Sequence, residues 1–200
     1  MNNDELIKPL VFATNNRHKV EEIRSVVGDR YRIVSLADAG IDIDIPEPFD
    51  TLEENALTKA ETIYRLTGNN CFSEDTGLEV EALSGAPGVK SARYATDQND
   101  PEANIKKLLA NLSGLSNRRA RFRTVIVLII DGDLQRFEGI CDGSITEKPT
   151  GISGFGYDPI FIPDGGQKCF AEMTIAEKNQ YSHRKKATTK LLDYLSLHGK

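Results

Sequence analysis

Glu74 and Asp75 are adjacent in the stretch Phe72-Ser-Glu-Asp-Thr-Gly-Leu-Glu-Val80, between an apolar approach from Cys71 and a Thr-Gly pair. Thr76-Gly77 predicts a turn, and beyond it Leu78, Val80 and Ala82 alternate with Glu79 and Glu81 at strand period. Carboxylates at the end of a strand are held by the sheet yet open to solvent, which suits a hard cation or a water about to be activated. An ordinary acidic turn has the same composition, so the pair gains meaning only from cationic and loop signals elsewhere in the chain.

Such signals recur. Thr14-Asn-Asn-Arg-His-Lys19 follows a short apolar run and precedes Val20, Ile23, Val26 and Val27 at helical spacing up to Gly28. A strand, a polar loop and a helix start bring backbone N–H groups, the positive end of a helix dipole and Lys19 to one point, a geometry for phosphate. Thr14, Asn15, Asn16, Arg17, His18 and Lys19 are the candidates. The glycines of a P-loop are missing, and a loop with a solvated lysine fits the same letters.

Gly151-Ile-Ser-Gly-Phe-Gly-Tyr-Asp-Pro159 is the second unusual loop. Its glycines let the backbone approach a ligand, and Phe155 and Tyr157, flanking Gly156 and followed by Asp158, offer ring faces for a flat base. A glycine turn with core aromatics is the alternative. Thr174-Ile-Ala-Glu177 reads as a capping box followed by Lys178. Ser182-His-Arg184 opens the last helix, with Ala187, Leu191, Leu192 and Leu195 facing inward. His183 and Arg184 fall in its first turn, where the dipole disfavours cations; an anion or a carbonyl oxygen gives them a purpose, and a solvated helix start is the alternative.

These residues need elements to position them. Residues 10–13 and 31–35 read as strands, and residues 40–50 as an irregular acidic loop carrying Asp42, Asp44, Glu47 and Asp50. Thr51-Leu-Glu-Glu54 is a capping box that opens a helix to about Leu66, with Leu57, Ala60, Ile63 and Tyr64 inward. Glu47, or as second choice Glu54, is expected to join Asp75 on a metal. Asp100-Pro101 starts a helix with Ile105, Leu108, Leu109 and Leu112 on its apolar face. Residues 121–130 and 134–145 read as strands joined at Asp131-Gly132, a tight hairpin signal, and residues 160–162 as another. The arginines at 118–123 fit a solvated sheet face better than a basic patch. Alternating strands and helices predict an α/β chain with a mixed sheet.

With 200 residues the chain suffices for one domain or for two small lobes sharing a sheet. A net charge of -5 argues against nonspecific binding to nucleic acid or to an anionic membrane. Cys71, Cys141 and Cys169 are far apart, without metal-ligand spacing, and read as reduced thiols of a cytoplasmic protein. No N-terminal segment has a charged start followed by a long apolar run, so no secretory signal is expected, and the longest apolar run, residues 125–130, is too short to span a bilayer.

Taken together, Thr14 to Lys19, Ser73 to Leu78, Phe155 to Pro159 and Lys178 with Ser182-His-Arg184 resemble the inosine triphosphate pyrophosphatase family, in order and over nearly the whole chain. Glu54-Asn-Ala56, Lys59-Ala60, Pro87-Gly88 and Ser91-Ala-Arg-Tyr94 also resemble it. Asn15 stands where that family often has Gly, Glu74 and Thr76 where it has Asp and Ser, and Ser153 where it often has Gly.

The resemblance implies a single domain over residues 1–200: an elongated mixed β-sheet flanked by helices, with two lobes and the active site in the cleft between them. It implies a homodimer that needs Mg²⁺ and hydrolyses nonstandard purine nucleoside triphosphates (ITP, dITP, XTP) to the monophosphate and pyrophosphate. In that frame Asp75 positions or deprotonates the water, and Glu47 and Asp75 hold the metal. Lys19 and the N–H groups from Asn15 to His18 take the phosphates, Lys178 reaches phosphate or base, and His183 and Arg184 donate to the base oxygen. A related enzyme for pyrimidine triphosphates, an inactive nucleotide-binding regulator and a nucleic-acid module fed by the arginine cluster are the competing readings.

Overall fold

The structure is a computed structural model that describes residues 9–198. Strands Pro9–Phe12 (β1) and Arg32–Ser35 (β2) pair in parallel, Pro9 opposite Arg32 and Phe12 opposite Ser35, and the helix Arg17–Val27 (α1) makes the crossover that parallel pairing demands. The next helix, Leu52–Thr67 (α2), starts where Thr51 accepts a hydrogen bond from the Glu54 N–H and stops at Gly68, which takes the left-handed conformation at φ 66°.

Strand Cys71–Val80 (β3) runs without a break through the two acids. The expected turn at Thr76-Gly77 is therefore corrected: the pair lies in mid-strand. Glycine is needed there for a different reason, because a Cβ on Gly77 would stand 2.6 Å from the carbonyl oxygen of Gly88. Gly88 belongs to the short antiparallel strand Pro87–Gly88 (β4), with Leu78 opposite Gly88. Alternation ends at Val80, and Ala82 sits in a 3₁₀ turn over Glu81–Leu83.

Asp100 caps the helix Pro101–Asn111 (α3) by accepting from the Ala103 N–H. Strands Arg119–Ile130 (β5) and Asp133–Ile145 (β6) are joined at Asp131 and Gly132, both at positive φ (51° and 91°), the two-residue turn that matches strand twist. A 3₁₀ turn over Asp158–Ile160 delays the next strand to Phe161–Pro163 (β7), antiparallel to β6 through Gly143 and Pro163. A single helical turn, Ile175–Lys178 (α4), and the helix His183–His198 (α5) complete the described residues.

The strands hydrogen-bond in the order β2-β1-β3-β5-β6-β7, with β4 on β3, a mixed sheet with flanking helices. The chain divides into two compact units: residues 1–75, 125–138 and 187–200, and residues 76–124 and 139–186. The first has a core of Leu10, Phe12, Ile23, Phe72, Ile126, Leu128 and Leu191, with Phe12 and Phe72 stacked at 4.4 Å. The second is built on Leu78, Val80, Leu108, Phe122, Ile160, Phe161 and Phe170. All three cysteines are buried and unbridged, and burial pushes the thiols of Cys71 and Cys141 up to about 12. No helix among the described residues is long and apolar enough to cross a membrane.

Candidate functional site

Successive side chains on a strand face opposite sides, so Glu74 and Asp75 meet different cations although they are neighbours in sequence. Glu74, fully enclosed, lies 3.1 Å from the Lys19 ammonium. Asp75 Oδ1 lies 3.0 Å from Lys59 Nζ, and the same ammonium is 2.5 Å from Glu47 Oε1. All these residues belong to the first unit. Two carboxylates expected to share a cation thus converge on one ammonium. Glu54 is instead exposed and accepts from the Thr51 hydroxyl at 2.6 Å, a capping contact, whereas Glu47 shares Lys59 with Asp75.

Spacing of acids and cations does not single out Lys59. The signal lies in the buried stripe of α2, which is Leu52, Asn55, Ala56, Lys59, Ala60 and Ile63, while Leu57 and Tyr64 are only half-buried. A lysine set into such a stripe needs counter-charges. Asn55 has a second task there: its Oδ1 accepts from the Phe49 N–H and its Nδ2 donates to the Phe49 carbonyl, both at 3.0 Å. This reciprocal pair pins the acidic loop two residues from Glu47.

Burial dominates the titration of Asp75 and raises it above the usual carboxylate range, with Lys59 and then Lys19 pulling the other way. Burial alone would lower Lys59, but Asp75 and Glu47 outweigh it and hold the ammonium above its ordinary value. Lys59 is thereby kept a cation, and Asp75 is a stronger base than a free aspartate.

The start of α1 is organised by its own side chains. Asn16 is the N-cap and accepts from the Lys19 N–H, the Asn16 N–H donates to Thr14 Oγ1, and Asn15 Nδ2 donates to the Ile43 carbonyl. Arg17 and His18 are exposed, and His18 lies 4.0 Å from Glu21. Of the six loop candidates, Lys19 is the one whose charged group the structure brings to an acid of β3.

Among the described residues, no group of three or more His, Cys, Asp or Glu side chains gathers as a metal site. Glu47 and Asp75 nonetheless fit Mg²⁺, which commonly takes one or two carboxylates and fills its remaining positions with water and phosphate oxygens. The convergence of both acids on one cationic group is the observation that supports the fit.

The second unit holds a separate cluster. Lys178 Nζ lies 2.7 Å from Asp158 Oδ2, both side chains buried, and is set over the rings of Phe155 and Phe170 at 5.3 and 5.1 Å. The same Asp158 oxygen accepts from the Phe155 N–H at 2.9 Å. Arg184, 1 % exposed, is placed over Phe155 at 5.6 Å and donates to Thr76 Oγ1 at 3.4 Å. His183, beside it in the first turn of α5, stacks on Phe122 at 4.7 Å.

Tyr157 departs from expectation. Its ring belongs to the core and its hydroxyl donates to the Ser91 carbonyl at 3.0 Å, so it braces the loop and offers no face to a base. Phe155 is half-buried, with Gly156 next to it at φ 60°. The arginines at 118–123 are engaged as a sheet face: Arg119 pairs with Asp164, Arg121 with Glu79, and Arg118 donates to the carbonyls of Ile145 and Thr146.

Comparison with known proteins gives a consistent picture. The model of the Ham1 family matches residues 10–194. A dITP/XTP pyrophosphatase of Christiangramia forsetii is 51% identical over 187 residues, covering 94% of this chain and 98% of the relative. That of Porphyromonas gingivalis is 50% identical over 190 residues, with the same coverage of 94% and 98%. The solved Ham1 protein of Staphylococcus aureus superimposes with a TM-score of 0.85 at 37% identity, over 96% of this chain and 100% of that one.

Proposed function

This chain belongs to the Ham1 family, and from that membership and the two clusters we propose that it hydrolyses nonstandard purine nucleoside triphosphates to the monophosphate and pyrophosphate. The observation that carries the reading is the meeting of the Asp75 and Glu47 carboxylates on the Lys59 ammonium. Those two acids would hold Mg²⁺, which when bound screens the charge of the phosphates and polarises them. Asp75 takes a proton from water as the water oxygen bonds to the α-phosphorus, and pyrophosphate departs with the bridging oxygen. Lys19, Lys59 and the N-terminus of α1 balance the charge that develops on the leaving group.

The second cluster suits the base. Hypoxanthine and xanthine carry an acceptor oxygen where adenine carries an amino donor. Arg184 only donates, and His183 donates in the right tautomer. Adenine would face donors with donors, and each unmatched buried group costs roughly 1–3 kcal/mol. Phe155 gives the base a ring, and Lys178 is a further cation for phosphate or base. The free buried thiols support a cytoplasmic location, and the family resemblance supports a homodimer.

A panel of ITP, dITP, XTP, ATP, GTP and UTP with Mg²⁺, assayed for pyrophosphate and for orthophosphate, tests the proposal. Pyrophosphate from the first three and little turnover of ATP and UTP is expected, while GTP, which shares the acceptor oxygen, separates recognition of position 6 from that of position 2. Orthophosphate as primary product would mean that another bond is cut, and preference for UTP would favour a pyrimidine enzyme. Light scattering in solution tests the dimer.

A further inference from the structure

We propose that Thr124 is a positioning residue for base selection, an inference that rests on the reading of Arg184 as a base donor. Thr124 and Phe122 are two apart on β5 and so face the same, buried side of the sheet. Phe122 stacks on His183 with the rings 17° from parallel. Thr124, fully buried, has its hydroxyl 2.6 Å from that of Thr76, and Thr76 Oγ1 accepts from the Arg184 guanidinium. One face of one strand thus supports both adjacent residues of the donor pair, His183 directly and Arg184 through Thr76.

The support matters because selection between a 6-oxo and a 6-amino purine is a matter of donor placement. A guanidinium on a long side chain that is free to withdraw no longer penalises the amino group, whereas one held in place does. The Thr124–Thr76 contact fixes the Thr76 rotamer whichever hydroxyl donates. Valine at position 124 keeps the shape and removes only the hydroxyl, while serine restores it.

The test compares steady-state kinetics on ITP and ATP for wild type, Thr124→Val, Thr124→Ser and Arg184→Met, with thermal midpoints as a check on folding. Loss of one ordinary hydrogen bond predicts that Thr124→Val raises KM for ITP roughly fivefold and lowers the ITP-over-ATP ratio by a similar factor, with kcat nearly unchanged. Thr124→Ser should recover both. If Arg184→Met loses selectivity and Thr124→Val keeps the wild-type ratio, the positioning role of Thr124 is overturned while base reading by Arg184 stands. If Thr124→Val loses thermal stability alone, the same conclusion follows. If Arg184→Met itself selects ITP as wild type does, the base reading falls and this inference with it.

Discussion

The Lys59 ammonium lies 3.0 Å from Asp75 Oδ1, and each side chain is only 9 % exposed. With Glu47 on the same ammonium, the lysine neutralises two acids that would otherwise repel. Lys59→Met removes that charge, and breaking a buried pair from one side costs about 3–5 kcal/mol. The variant is expected to unfold at lower temperature than wild type. Mg²⁺ should raise its midpoint by more than it raises the wild-type midpoint, because a bound cation takes over part of the neutralisation. Equal responses in differential scanning calorimetry would detach Glu47 and Asp75 from the metal.

Asn55 makes two hydrogen bonds to the backbone of Phe49 from a position 2 % exposed. Asn55→Ala removes two hydrogen bonds to the backbone of exposed Phe49, at a cost of about 1–3 kcal/mol. It also loosens the loop that carries Glu47. Turnover of ITP should then need more Mg²⁺ for half-maximal rate, in addition to a lower urea midpoint. An unchanged Mg²⁺ requirement beside reduced stability would show that the pair serves the fold alone.

Asp38 sets a pH-dependent element of stability in the first unit. The Ser35 hydroxyl and N–H donate to its carboxylate and the Arg24 guanidinium adds to them, which lowers it to about 2. The folded value lies below the unfolded one near 3.8, so the fold favours the ionised form. Its contribution is complete above the unfolded value, declines as pH falls below it, and is gone once pH passes the folded value. The stability difference between wild type and Asp38→Asn should follow that course in urea titrations from neutral to acid pH. A difference that stays constant down to pH about 2 would contradict it.

Local signals were legible and long-range ones were not. Thr51, Asp100 and Thr174 cap helices as their side chains suggest, and Asp131-Gly132 turns as its letters require. Thr76-Gly77 misleads because the reason for its glycine is the carbonyl of Gly88, which is brought opposite by strand pairing. Tyr157 misleads because a ring beside glycines is equally at home in a core, and only the Ser91 carbonyl at the end of its hydroxyl decides. Lys59 and Thr124 have partners 16 and 48 residues away, so no spacing rule reaches them. A charged residue in an apolar stripe is the trace that Lys59 leaves; Thr124 leaves none.

Asp158 offers the same oxygen to the Lys178 ammonium and to the Phe155 N–H, so one substitution separates charge from shape. Asp158→Asn keeps an acceptor for the N–H but leaves a buried ammonium without its counter-charge, at about 3–5 kcal/mol. The double variant Asp158→Asn with Lys178→Met removes both charges and should regain most of that stability in urea unfolding. Activity is expected to part company with stability at this point. If Lys178 meets the nucleotide, the double variant keeps a raised KM for ITP although its fold has recovered. A KM that returns to the wild-type value along with stability would make the pair a structural brace for the Phe155 loop, with no hand in binding.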